Sequence, residues 1–380
     1  MRFVIFLFTV LIADLSDLSY VFSQTNQPKI ELVAKSPDGE KGYEKGVSAA
    51  YAGILNDKLI LAGGCNFPDV PVAEGGKKRF YKGIYVADIK SDNILEWKKI
   101  GDLPQNSAYG VAVSYNNKII IAGGQNESSA LRSVFAISYG NETGLIIDSL
   151  PSLPVTIDNM AGAVLDGILY MAGGKVNGIP SNEVFSLNLT DYSKGWKRLT
   201  VFPGNPRVQP VMSAVNGCLY IWGGFSPAIG KNKPSVSNNG WCFNPQTGLW
   251  KKLPAPREKF RPSSSFTGAA AIALNENEIL CVGGVNAGIF MDALKREQKY
   301  KGAEAARRAK IYLSQPAEWY RFNQTAFVFN VNTGKWRVAA KNPLLARAGA
   351  AIVKHGDTIF YINGEIKPGI RSAGISKFSL

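Results

Sequence analysis

Histidine is nearly missing from this chain: His355 is the single one in 380 residues. That scarcity excludes whole classes of chemistry. A copper oxidase or zinc hydrolase needs several imidazoles or thiolates around its metal, and a Ser-His-Asp hydrolase needs a histidine beside its nucleophile. His355 itself lies in Lys354-His355-Gly356-Asp357 and reads as a solvent-facing turn residue. Cysteine is also sparse. Cys65, Cys218, Cys242 and Cys281 show no CxxC or metal-ligand spacing. Cys218 and Cys281 fall within apolar strands and read as small buried hydrophobes. No Gly-rich loop opens a helix as a phosphate or dinucleotide site requires. Neither a metal nor a cofactor is expected.

Long apolar runs are missing beyond the first residues, so no membrane span is expected. The opening itself reads as an export signal over residues 1–23. Arg2 gives a positive start, Val4–Ala13 an apolar stretch, and Val21 and Ser23 sit where small residues precede a cut. The mature chain, 24–380, is then expected in the cell envelope, most simply the periplasm. Its formal charge of +14 is not gathered into a nucleic-acid motif. The excess favours a small anionic ligand over a cationic one. Nothing in the sequence speaks to oligomeric state.

What the chain does have is a repeat. Five doublets, Gly63-Gly64, Gly123-Gly124, Gly173-Gly174, Gly223-Gly224 and Gly283-Gly284, each end a short apolar run such as Leu59–Ala62 or Ile279–Val282. The second glycines are separated by 60, 50, 50 and 60 residues, and Gly364 follows Gly284 by 80. In the sixth unit the run Thr358–Ile362 leads to Asn363-Gly364-Glu365, where a carboxylate stands in for the second glycine. The unit that breaks the pattern is where chemistry is expected.

Each unit has the same order. A small-residue strand such as Gly110–Tyr115 meets a turn such as Asn116-Asn117. The apolar strand and its glycines follow, then a third strand (Ile84–Ile89, Ser133–Ser138, Asn182–Leu187, Gly240–Phe243, Ala326–Asn330). Trp97, Trp196, Trp250 or Trp336 opens a fourth. Short strands joined by Asn, Asp and Gly turns are antiparallel hairpins. Six such units predict an all-β, six-bladed β-propeller. The last unit runs out one strand short, and Ile30–Ala34 is a spare strand before the first. Pairing it onto the last blade would close the ring and cover two exposed edges.

The extra length before the sixth blade, Ala287–Gln324, reads as a helical insertion over Asp292–Leu313. Its charges (Lys295, Arg296, Lys299, Lys301, Arg307, Arg308, Lys310) are most simply a solvated face; the alternative is a helical cap over one mouth of the propeller. A second insertion, Asn66–Tyr81, also follows a doublet and belongs on the same side.

In such a blade, the link into the first strand and the link out of the second share one face. Glu365 leaves a second strand, while Arg207, Arg261 and Arg347 lie near entries to first strands. All four are placed to converge on one end of the central channel, with Arg371 on the same loop as Glu365. Arg207 and Arg347 equally suit a role in bracing neighbouring blades. Asn286 follows a doublet and is a candidate channel residue; Tyr109 is a candidate proton donor or simply core filling.

The Gly-Gly units with late tryptophans resemble kelch repeats. The likeness narrows at Gly283-Gly284-Val285-Asn286, at Ala108-Tyr109-Gly110-Val111, and at Ile362-Asn363-Gly364-Glu365-Ile366-Lys367-Pro368-Gly369-Ile370-Arg371. Together these resemble the N-acetylneuraminate epimerase (sialic acid mutarotase) family, over roughly Lys29 to Ser372, in its cyclically permuted branch. The resemblance implies interconversion of α- and β-N-acetylneuraminate with a glutamate and an arginine of this run in the site, which carry over onto Glu365 and Arg371. Where the family tends to have Gly-Arg before Ala-Tyr-Gly, this chain has Asn106-Ser107. The sialidase box, Ser-x-Asp-x-Gly-x-Thr-Trp, is missing.

Opening and closing a sugar ring requires a proton taken from the anomeric hydroxyl and one given to the ring oxygen. A positioned carboxylate can do the first, and water or Tyr109 the second. A guanidinium fork holds the sugar carboxylate with two hydrogen bonds, and because it hardly ever loses its proton, Arg371 reads as a residue that orients substrate. The other class compatible with this architecture is a non-catalytic kelch propeller that binds a protein or glycan across its face.

Overall fold

The computed structural model describes residues 28–89, 96–140, 142–256 and 264–380. The candidate leader 1–23 and Arg261 lie outside these residues. Among the described residues the chain forms a β-propeller built from six antiparallel sheets of four main strands and two consecutive α-helices. No helix among them is long and apolar enough to cross a membrane.

The first sheet shows how sequence makes the unit. Tyr51–Leu55 and Lys58–Ala62 are joined by Asn56 and Asp57, which have φ of 47° and 57°. Two consecutive positive-φ residues make the tight hairpin turn that Asn and Asp tolerate. The second strand is buried on both sides, so its apolar run is continuous. Leu59 and Leu61 pack toward Val353 and Phe360 of the sixth sheet, while Ile60 and Ala62 pack toward Ile119, Ile121 and Phe135 of the second. The same alternation gives one core between each pair of consecutive sheets, including the pair formed by the last and the first.

Two features close the ring. β1 (Glu31–Lys35) pairs antiparallel with Gly374–Phe378, completing the sheet that holds Ala351–His355 and Thr358–Ile362. The spare N-terminal strand therefore lies where the strand count put it, one residue later than Ile30–Ala34. The second feature is a belt at the axis. Ala49, Tyr109, Asn159, Gly268 and Gly349, each two residues ahead of a first strand, and Gln209, within the first strand Val208–Val215, all have φ between 54° and 68°. Each donates its N–H to the carbonyl of the preceding one: Tyr109 to Ala49 at 3.1 Å, Asn159 to Tyr109 at 2.7 Å, Gln209 to Asn159 at 2.8 Å, Gly268 to Gln209 at 3.1 Å, Gly349 to Gly268 at 2.7 Å and Ala49 to Gly349 at 2.7 Å. The circle of hydrogen bonds is complete.

The glycine doublets correct one sequence reading. All five have positive φ at both positions, and so do Asn363 (55°) and Gly364 (94°). Asn363 thus replaces the first glycine, which asparagine can do because it tolerates the left-handed region. Glu365 replaces no glycine. It occupies the next place, which in other sheets holds Cys65, Gln125 or Val285: each of these donates its N–H to a residue beside the belt, as Glu365 does to Ala348.

At Gly349 an added Cβ would come no nearer than 3.4 Å to Ser48 Cβ, so space is not the obstacle; the backbone is. Gly349→Ala is expected to destabilise the protein by about 1–2 kcal/mol through left-handed strain alone, read from denaturant unfolding. An unchanged midpoint would contradict the belt geometry.

Candidate functional site

The segment after Gly364 folds back on itself. Glu365–Lys367 pairs with Ile370–Arg371 as a two-stranded ribbon, with Glu365 opposite Arg371. Pro368 and Gly369 make the turn, and Gly369 has φ 84°, the pattern of a turn with Pro second and Gly third. A side chain at Gly369 would run into Val72, whose Cγ1 lies 2.1 Å from the Cβ position. Directly opposed residues on a ribbon share a face. The six-residue spacing of Glu365 and Arg371 therefore delivers a cross-strand pair.

That pair is the centre of the site. Arg371 Nη2 lies 2.8 Å from Glu365 Oε1, with the arginine side chain 2% exposed and the glutamate 26%. Arg371 Nε donates to Ser48 Oγ at 3.1 Å, and its guanidinium sits 5.1 Å from the Phe67 ring centre. Burial opposes the Arg371 charge, but the Glu365 carboxylate, with Cys65 and Tyr109 close by, outweighs it and holds the group above its ordinary value. The ion pair is off-axis for a hydrogen bond, and Nη1 has no acceptor. A buried cation with an unused donor behind a partly open carboxylate is a poised arrangement. The carboxylate faces the opening; the arginine stands behind it.

Tyr109 belongs to this group. Its backbone is part of the belt, and positive φ (62°) fixes the direction of its side chain. Burial first, then Cys65 and the Glu365 carboxylate, push its phenol well above the ordinary tyrosine value. Lys78 Nζ donates to the phenol oxygen at 3.1 Å and lies 4.9 Å from the ring centre, so the phenol proton is left for another acceptor. Phe67 and Lys78 come from the insertion Asn66–Tyr81, which therefore reaches the same mouth. Ser48, Phe67 and Lys78 were not singled out in the sequence, where Cys65 stood only among the cysteines without metal-ligand spacing; for Phe67 and Lys78 the placement of their loop was read.

The arginines near first-strand entries do something else. Arg347, 2% exposed, donates from Nη1 to the carbonyls of Tyr361, Asn363 and Gly374 and from Nη2 to Ser376 Oγ. Arg207, 1% exposed, donates from Nη1 to Gly223 O and Asn239 O and from Nη2 to Asn239 Oδ1. Both grip the carbonyl of the first residue of their own doublet, so both brace a sheet and neither joins Glu365 as a ligand contact. Burial lowers the pKa of both guanidiniums, that of Arg207 to about 10.

The long insertion is the cap and not merely a solvated face. α1 (Ala287–Lys299) starts at Asn286, whose side chain accepts from Ile289 N at 3.1 Å; α2 (Gly302–Leu313) follows at once. They fall between the second and third strands of the fifth sheet. Together with Gln209, Thr267, Ala348 and Glu365 they enclose a cavity of about 700 Å³, within the usual size of small-molecule sites. Asn286 lines it as well as capping α1. Lys367, on the Glu365 ribbon, donates to Leu313 O at 3.3 Å and Gln315 O at 2.7 Å, satisfying carbonyls at the end of α2 that a helix leaves open. Among the described residues, no three His, Cys, Asp or Glu side chains gather as a metal site.

Known proteins resemble this chain along most of its length. A family model described as N-acetylneuraminate epimerase matches residues 20–147 and 150–380. An N-acetylneuraminate epimerase of Haemophilus influenzae (strain PittEE) is 32% identical over 248 residues, which is 64% of this chain and 61% of the relative. A kelch domain-containing protein of Vibrio cholerae is 29% identical over 60% of this chain and 63% of its own. The solved structure titled "Structure of YjhT" has a TM-score of 0.51 at 31% identity, covering 58% of this chain and 62% of that one. The chain thus spans about three fifths of the length of these relatives.

The tie between ribbon and cap is open to test. Lys367→Met should cost about 1.5–3 kcal/mol locally, the scale of a hydrogen bond from a charged donor, so that amide exchange in Gly302–Leu313 rises severalfold or more. Unchanged exchange there would mean that α2 does not depend on Lys367.

Proposed function

The chain belongs to the N-acetylneuraminate epimerase family, and on that premise we propose that it is a cofactor-free mutarotase, an isomerase acting on N-acetylneuraminate. The observation that carries the reading is the Glu365–Arg371 pair, 2.8 Å apart, with Glu365 on a cavity wall. The Glu365 carboxylate takes the proton of the anomeric hydroxyl as the bond from the anomeric carbon to the ring oxygen breaks. The open-chain keto form then recloses on the other face, and the proton returns. Arg371 fixes Glu365 in position, and its unused Nη1 is available to developing negative charge. Tyr109, kept protonated with its oxygen held by Lys78, supplies the proton for the ring oxygen, with water as the other donor.

The finer architecture belongs to this reading: a six-bladed kelch propeller closed by an N-terminal strand. The complete hydrogen-bonded belt and the core between last and first sheets support it. An alignment that stops near three fifths of both chains is what a permuted blade order would produce. Residues 1–23 have the composition of an export signal, and we place the mature protein in the periplasm.

The test is NMR of freshly dissolved α-N-acetylneuraminate. Wild-type protein should speed equilibration, and Glu365→Gln should reduce the acceleration by at least about 100-fold, the scale of a lost general base. Tyr109→Phe should cost less than that, since water can replace it. Wild-type equilibration no faster than the uncatalysed rate would leave a non-catalytic scaffold instead.

A further inference from the structure

We infer that Arg296, on the helical insertion, is the residue that holds the carboxylate of the acidic sugar; the inference rests on the proposed mutarotase reading and names how its site recognises charge. The starting point is that Arg371 is already engaged. Its Nε is taken by Ser48 and its Nη2 faces Glu365, which leaves one nitrogen. A bidentate grip on a carboxylate needs two. A sugar acid brought to Glu365 also carries its own negative charge toward another, so a second cation must stand in the cavity.

Arg296 meets these conditions. It lines the same cavity as Glu365. Its guanidinium stacks over Tyr312, 5.1 Å from the ring centre, and its Nη2 is buried without a hydrogen-bond partner. The other arginines of α1 and α2 are paired: Arg307 and Arg308 both contact Glu304, with Arg307 Nε at 2.8 Å from its carboxylate. Among the described residues Arg296 alone of the three has no acidic partner. A buried donor with no acceptor is costly, and a ligand carboxylate would relieve it.

The scaffold around Arg296 is ordered toward that task. Phe290 of α1 packs against Phe225 with ring centres 4.9 Å apart, and Ala293 and Leu294 are buried, so the helix is seated and not floating. Tyr312 in turn packs on Tyr320 at 5.3 Å. The Tyr312 phenol is raised chiefly by burial and feels both Arg296 and Glu365, so both charges act on the same wall of the cavity. Glu297, the next residue, also borders the cavity; though much of the residue is exposed, burial of its carboxyl raises the pKa above the ordinary value, which weakens its claim on Arg296 as a charged competitor.

The experiment compares N-acetylneuraminate with its uncharged methyl ester. In wild-type protein the acid should be preferred, by KM, roughly tenfold or more, the scale of hydrogen bonds to a charged group. Arg296→Gln should raise KM for the acid by that factor, leave kcat within about threefold, and abolish the preference over the ester. Arg296→Lys should recover part of it. A preference for the acid that survives in Arg296→Gln, with the melting temperature unchanged, overturns the inference while the mutarotase reading stands. If the wild-type protein shows no acceleration, that reading falls, and calorimetric binding of the acid decides the inference: equal affinity in wild type and Arg296→Gln, or no binding by either, overturns it.

Discussion

Six peptide N–H groups pointing around one axis hold this molecule in register. Each belongs to a residue in the left-handed region, and each meets the carbonyl of its neighbour. Because the circle is complete, no sheet can rotate without breaking two of these bonds. Local conformation, often a minor cost, here becomes the constraint on everything else. The side chains of the belt are thereby fixed at the axis: Tyr109 carries a phenol there, Gln209 borders the cavity, and Gly268 and Gly349 leave the fifth and sixth positions bare beside Glu365.

On this frame a short ribbon carries the pair to which the chemistry is assigned in the proposed reading. A turn of Pro368 and Gly369 makes Glu365 and Arg371 cross-strand partners, and Val72 presses on that turn from the other insertion. The bonding of the doublet then decides which side chain faces the opening. Asn363 and Gly364 keep the left-handed path of the other units, so the residue after them is delivered to the cavity wall in a fixed pose. Lys367 ties the same ribbon to the end of α2. Carboxylate, cation and cap are thus parts of one connected piece, the cap being joined through the Lys367 side chain. In the proposed plan two cations have different duties: Arg371 behind Glu365, and Arg296 on the helical part of the cavity lining.

Much of this was legible in the residues. Apolar runs ending in two glycines mark second strands closely: Thr358–Ile362 has the same bounds in sequence and structure. Ile30–Ala34 declares itself through a count of strands, and the observed pairing differs by one residue. What could not be read was where long side chains end. Arg347 and Arg207 sit at the expected entries, but their guanidiniums turn to carbonyls of their own sheets, such as Asn239 O, 32 residues on. Pattern gives position, not the acceptors that fold brings near. The insertion shows the same limit. Its run of charges resembles any solvated helix until the partners are seen, when Arg307 and Arg308 settle on Glu304 and Arg296 is left turned inward. The mistaken register at Glu365 has another cause: asparagine at positive φ is invisible in a sequence, so the doublet seemed to lose its second glycine when it had lost its first.

The most direct measurement is a crystal structure of Glu365→Gln, expected to retain the fold and to turn over slowly, soaked with N-acetylneuraminate. The anomeric oxygen should lie about 3 Å from the side chain at 365, within hydrogen-bond reach, beneath α1 and α2. A sugar bound outside that cavity, or inside it with its anomeric carbon turned away from position 365, would contradict the account.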